Sequence, residues 1–333
     1  MSRALILIVA TLLTAHAALA QQLDDVVAYM CPIHSDYTAE VPGTCPRDGM
    51  QLVRATPFDV RDYELAFTTA PAVPKPGEPI SLLFKIYHPR SGELVDDFEI
   101  VHDQPYHLFV ISQDLEHFEH IHPLRAADGG WSIDVTLPRP GYYRVISDFL
   151  PRGGAAQLIA RPLVTAGYDG DLAADGARLE PDKDTSKTVE GLTASLTYDP
   201  PTFMAGLYGH LSYYLTDAST GRPVTDLQPY LGAFGHTLIV SEDLVDYVHS
   251  HPIDLTTPYD EGSGPKLFML PMHAGHSGHE EFRGGPEVTF DGLMPRPGRY
   301  RAFTQFRWRD ELRTFAFTFD VGDTTGAAGD GGR

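Results

Sequence analysis

The chain has 333 residues, a formal net charge of −20, 42% hydrophobic residues and two cysteines. So acidic a protein excludes nucleic acid and anionic membrane surfaces as partners, and it agrees with a well-solvated chain that attracts cations. Its length exceeds one small sandwich and suits two domains with an appendage.

The N-terminus reads "MSRALILIVATLLTAHAALAQQ". One Arg precedes a short apolar run, and the small residues "ALA" at 18–20 close it. That is the pattern of a secretory signal peptide over residues 1–20, cleaved after Ala20. The run is short for a bilayer span of about 20 residues, and no later segment is long and apolar enough to cross. The mature protein is therefore expected in the periplasm or outside the cell, without stable membrane insertion.

Residues 28–55 contain "YMCPIHSDYTAEVPGTCPRDGMQL", in which Cys31 and His34, then Cys45 and Asp48, form two knuckles with two residues between their members. That spacing lets both side chains of a tight turn face one ion, and thiolate, imidazole and carboxylate are all ligands for a tetrahedral site. Met30 and Met50 flank the knuckles, and soft sulfur favours Cu(I). The alternative is a Cys31–Cys45 disulfide, the default for two cysteines in an oxidising compartment.

On Tyr29, Cys31, Pro32, His34, Pro42, Gly43, Cys45, Pro46, Gly49 and Met50, this segment resembles the heavy-metal-binding domain of periplasmic metal-efflux adaptors and metal-transporting ATPases. The resemblance covers about a tenth of the chain and implies a small metal-binding knuckle. Ile33 stands where that family carries Met, and Asp48 where it carries a third Cys, which makes the ligand set harder.

A Pro-rich stretch, "TAPAVPKPGEP", then opens a new domain. "ISLLFKIYH", "YHLFVIS", "WSIDVTL", "YYRVISDF" and "QLIARPLV" follow, β-branched and aromatic runs separated by Gly, Pro and Asp, which predict antiparallel strands. No stretch holds a helical period. After the polar linker 167–190 the order repeats. "YHPRSGELVDDF" matches "LTDASTGRPVTDL", and "LPRPGYYRVISDF" matches "MPRPGRYRAFTQF". The fold expected is mainly β: the knuckle, then two tandem immunoglobulin-like β-sandwich domains, each of roughly 100 residues. They are placed at 66–166 and 191–322, with a disordered tail at 323–333 that has too little apolar content to fold.

The most specific repeated feature is "YHLFVISQDLEHFEHIHP" against "GHTLIVSEDLVDYVHSHP". A leading His is followed by a His-x-His pair thirteen and fifteen residues later: His107 with His120 and His122, and His236 with His249 and His251. Residues i and i+2 of a strand share a face. Each pair therefore projects together, and the leading His on the preceding strand is its natural third partner for copper or zinc. His117 is a candidate fourth ligand, with Asp246 as its counterpart in the second copy. Neutral imidazole is needed, so binding is expected to weaken below about pH 6. The alternative is that these histidines are ordinary hydrogen-bonding or capping residues at strand ends. The second copy carries an insertion, 253–285, whose "MHAGHSGHEE" brings Met272, His273, His276 and His279 into a chelating type of tract. Residues 80–150 and, more weakly, 205–322 are similar to a group of exported bacterial His-x-His-Pro proteins, which implies a β-sandwich in a metal context.

Three functions follow. The first is an exported metal-homeostasis protein that binds copper, or else zinc, for resistance, buffering or delivery to a membrane metal transporter or another exported protein. The second is a copper or zinc enzyme with a three-His centre, although no Gly-x-Ser-x-Gly, His-Glu-x-x-His or Cys-x-x-Cys-His motif is present. The third is a metal-independent β-sandwich interaction module.

Overall fold

The structure is a computed structural model that describes residues 27–32, 37–46, 50–57, 61–172, 174–254, 266–267 and 284–323. Among these every regular element is a strand, and no helix is long and apolar enough to cross a membrane. The signal segment, His34, Asp48, Met272, His273, His276, His279 and the tail beyond Asp323 lie outside the described residues. The chain divides into two compact units.

In the first unit, β1 (Ala28–Met30), β2 (Thr38–Ala39) and β3 (Val53–Ala55) make a small antiparallel sheet in the order β2-β1-β3. Alternation along β1 sends its neighbours to opposite sides. Tyr29 packs with the buried Cys31, Cys45 and Leu52. Met30 turns the other way, into a separate cluster with Ala55 and Leu150 against which Val101 packs. Met30 therefore does not flank the cysteines as a soft ligand. Its thioether fills the apolar contact between this sheet and the first sandwich.

That sandwich consists of β4 (Glu64–Ala70), β5 (Pro79–Tyr87), β6 (His107–Ser112), β7 (Phe118–Ile121), β8 (Leu124–Arg125), β9 (Trp131–Thr136), β10 (Tyr142–Phe149) and β11 (Gln157–Val164). One sheet runs β4-β5-β9-β8 and the other β11-β10-β6-β7. This is the immunoglobulin order, A-B-E-D facing G-F-C-C′. The core between the sheets holds Ile80, Leu82, Phe84, Leu108, Val110 and Val145. All five runs read as strands from the sequence are strands. The Pro-rich "TAPAVPKPGEP" does not open the domain, however. It connects β4 to β5, because Glu64–Ala70 already pairs with Ser81–Tyr87.

The second unit repeats the plan with β12 (Ser186–Val189), β13 (Leu192–Asp199), β14 (Phe203–Met204), β15 (Tyr208–Asp217), β16 (His236–Ser241), β17 (Tyr247–Ser250), β18 (Pro252–Asp254), β19 (Lys266–Leu267), β20 (Glu287–Leu293), β21 (Gly298–Trp308) and β22 (Glu311–Gly322). Its sheets run β12-β13-β15-β20-β18-β19 and β14-β22-β21-β16-β17. Removing β12, β14 and β19 leaves the strand orders of the first copy. The expected linker is thus structured at its C-terminal end, where β12 adds to the sheet edge. Asp182 secures the approach to it by accepting from the Thr318 N–H at 2.7 Å and from Lys187 Nζ at 2.7 Å.

Matching turns confirm the duplication. Tyr143 Oη donates to Arg139 O at 2.9 Å and Tyr300 Oη lies 3.0 Å from Arg296 O, each a carbonyl four residues upstream, the tyrosine corner of this fold. Gly92 and Gly221 take φ of 67° and 66° in equivalent turns, a conformation open to residues without a Cβ.

Beside Gly221, the Asp217 carboxylate accepts from Ser219 Oγ, Ser219 N and Arg309, and these donors, Ser219 first, pull its pKa down to about 2. A carboxylate depressed in the folded state stabilises it above the unfolded pKa of about 3.9, and that contribution is lost as pH falls through the folded value. Asp217→Asn is therefore expected to lower Tm at neutral pH, with the gap from the parent closing as pH approaches 2. Equal Tm values at neutral pH would contradict this.

Candidate metal centre

The repeated motif divides into a structural half and a chemical half. In "SQDL" and "SEDL", Ser112 and Ser241 hydroxyls donate to Asp114 and Asp243, and accept from the N–H of His117 and Asp246, both at 2.9 Å. Leu115 and Leu244 sit left-handed with φ of 59° and 55° and are buried. This network shapes the C–C′ turn identically in both copies and so sets which strand positions follow it.

Beyond the turn, alternation sorts the side chains. Leu108, Val110 and Ile121 pack into or against the sandwich core, so His107, Phe109, His120 and His122 share the opposite face. There His107 Nδ1 lies 3.2 Å from His120 Nε2 and 3.2 Å from His122 Nε2. One ligand atom from each of the three lies within 4.8 Å of the others. Nitrogens bound tetrahedrally at 2.0–2.1 Å from one ion stand about 3.3 Å apart, so the spacing fits a common metal.

Hydrogen bonding alone accounts for this geometry poorly. His107 Nε2 lies 2.9 Å from the Val101 carbonyl, which only accepts, so the proton is on Nε2. In that neutral tautomer Nδ1 has a single in-plane lone pair, while two nitrogens approach it at hydrogen-bond distance. A proton can bridge one of those approaches, whereas a cation accepts all three donors. The Val101 carbonyl also fixes ring orientation, the usual support of a metal-bound His. Phe109 stacks on His120 with ring centroids 4.4 Å apart and completes the wall.

The second copy brings its three rings near one another, but among the described residues only His236 and His251 of the three place ligand nitrogens in a common group, and His249 does not join it. Centroid separations are 6.0, 4.7 and 4.5 Å for His236–His249, His236–His251 and His249–His251. The corresponding values in the first copy are 5.4, 4.9 and 5.0 Å. Where Val101 stands in the first copy, Tyr230 stands in the second, its ring edge-on to His236 at 5.5 Å.

His117 is not part of the first triad; its main chain closes the turn with Ser112. Its counterpart Asp246 is engaged elsewhere, accepting from Arg296 Nε at 2.9 Å and from Tyr300 Oη at 2.7 Å. Both donors converge on Oδ2 of that carboxylate. Cys31 and Cys45 meet in one buried cluster, and the main-chain N–H groups of the two knuckles bond to Tyr37 O at 3.1 Å and Met50 O at 2.7 Å.

Two contributors to this site, and one buried histidine outside its ligand group, were missed in the sequence. Val101 acts through its carbonyl, which no side-chain pattern shows. Phe109 reads as a core residue inside an apolar run. His102 is buried, left-handed at φ 49°, and 6.4 Å ring to ring from His107. It occupies a two-residue turn closed by Val101–Gln104 backbone bonds of 3.0 and 3.1 Å. Holding a non-glycine residue there costs about 1 kcal/mol or more. The equivalent turn carries Leu231, so comparison of the copies hides the histidine.

Among solved structures the chain is similar to the Escherichia coli adhesin FdeC, with 14% identity, 82% of this chain and 68% of that chain covered, and a TM-score of 0.24. It is similar to a putative membrane-anchored protein from Corynebacterium diphtheriae at 9% identity, covering 79% and 59%, TM-score 0.22. The Yersinia pseudotuberculosis adhesin InvE gives 10% identity, 78% and 60%, TM-score 0.21. The chain thus spans about two thirds of the first and about three fifths of the other two. Likenesses at this level carry no functional argument. No curated protein matches the chain. The family described as a domain of unknown function, DUF8832, matches residues 59–163 and 187–323, which take in both sandwiches and both histidine sets. The chain belongs to the DUF8832 family.

Proposed function

We propose that this is an exported transition-metal-binding protein, with copper favoured over zinc, that serves metal resistance, buffering or delivery to a membrane transporter or another exported protein. The observation that carries the reading is the His107–His120–His122 triad, with nitrogens 3.2 Å apart about a tautomer fixed by Val101. The N-terminal segment supports export. The knuckle residues Cys31, His34, Cys45 and Asp48, and the tract Met272, His273, His276 and His279, support a metal context. Copper is favoured by the mixture of His with Met and Cys, since softer donors select it.

Native mass spectrometry of mature protein, purified anaerobically and titrated with Cu(I), Cu(II) and Zn(II), tests the proposal. Ions taken up in discrete steps are expected. Absence of bound ion near neutral pH would overturn it and leave a tandem sandwich whose role lies in protein contacts.

A further inference from the structure

We infer that the small cysteine-bearing sheet positions a ligand of the triad: Met30 braces Val101, and Val101 holds His107. The inference rests on the metal-binding reading and deepens it, naming a remote segment on which the affinity of that site depends. β1 is two-sided. Its register sets Ala28 opposite Ala55 and Met30 opposite Val53, and opposed residues of an antiparallel pair share a face. On that face Met30, 1% exposed, packs with Ala55 and Leu150, and the half-buried Val53 and Val101 close on the same cluster. Tyr29 turns the other way, toward Cys31 and Cys45. Main-chain bonds clamp the same junction, Thr56 N–H to Gly154 O at 3.2 Å and Glu99 N–H to Leu150 O at 2.9 Å.

Val101 opens the turn that faces the triad. Its carbonyl accepts from Gln104 N–H at 3.1 Å and lies 2.9 Å from His107 Nε2. The two residues of the turn, His102 and Asp103, are both left-handed, with φ of 49° and 63°. Non-glycine residues keep such a conformation only where the surroundings over-determine it, and Met30 is part of those surroundings. Trimming its side chain leaves a cavity beside Val101 that neighbours fill only in part. The turn then loosens, and the carbonyl that orients His107 loosens with it. A hydrogen-bond partner behind a metal-bound histidine is worth about 10–100-fold in affinity. Loosening this one, rather than removing it, is expected to cost about tenfold.

The test compares the full mature chain with Met30→Ala and Met30→Leu by ¹⁵N-histidine NMR, before and during anaerobic titration with Cu(I) or Zn(II). Both ions are diamagnetic, so the ring signals report binding at the triad itself. Met30→Ala is expected to speed exchange of the His107 Nε2 proton with water while the β5 amides keep their protection. It is also expected to weaken binding at the triad about tenfold. Met30→Leu conserves volume and should restore both. Should Met30→Ala fail to fold, Val101→Ala trims the same contact from the sandwich side and is read in the same way. Parent-like exchange and affinity in the folded variant would overturn the inference. A parent whose triad signals neither ion moves would overturn the metal reading instead, and exchange of the His107 proton would still decide the positioning.

Discussion

Replacing His120 and His122 together by alanine is expected to remove one ion per chain from the metal stoichiometry and to weaken the site more than about a hundredfold. Losing only an outer hydrogen-bond partner of a ligand typically costs 10–100-fold, and here two of three donors to the common point are gone. The remaining His107, tied to Val101 O, is a single monodentate ligand. Each substitution should cost fold stability no more than the roughly 0.5–3 kcal/mol usual for a single change, because both histidines lie on the face away from the sandwich core. Native mass spectrometry with circular dichroism checks both parts. An unchanged ion count in a folded double variant would show that the ion sits elsewhere.

The second large effect concerns the wall of the site. Phe109 is fully buried and stacked on His120 at 4.4 Å. Phe109→Ala removes a ring from a packed environment and is expected to cost about 3–5 kcal/mol, with weaker metal binding as His120 loses its stacking surface. Phe109→Leu installs the residue found at the equivalent position in the second copy, Leu238, and is expected to cost less than about 1.5 kcal/mol. Chemical denaturation of the apo and ion-loaded proteins reads both. Comparable destabilisation by the two substitutions would contradict this, because Leu restores most of the volume and only the aromatic ring would then be missing.

Much of the architecture was legible because it rests on local rules. Runs such as "WSIDVTL" and "YYRVISDF" have β-branched and aromatic residues bounded by turn formers, and each is a strand. The duplicated motif led to His107, His120 and His122 because a strand's period of two is independent of context. Other features depend on tertiary structure and were not legible. β6 is buried at every position, so its apolar run hid the fact that Phe109 faces the histidines rather than the core. The Pro-rich stretch was misplaced because its prolines mark a connection within a sandwich as readily as a boundary. The polar linker concealed β12, whose stability comes from pairing with β13 rather than from its own composition. Nor did the sequence show that Arg296 and Tyr300, about fifty residues downstream of Asp246, converge on its carboxylate.

The central claim is tested most directly by crystals of the copper- or zinc-loaded protein measured at the absorption edge of the bound metal. An anomalous peak is expected at about 2.0–2.1 Å from His107 Nδ1, His120 Nε2 and His122 Nε2. Peaks confined to other parts of the chain, with no anomalous signal at this triad, would contradict the account.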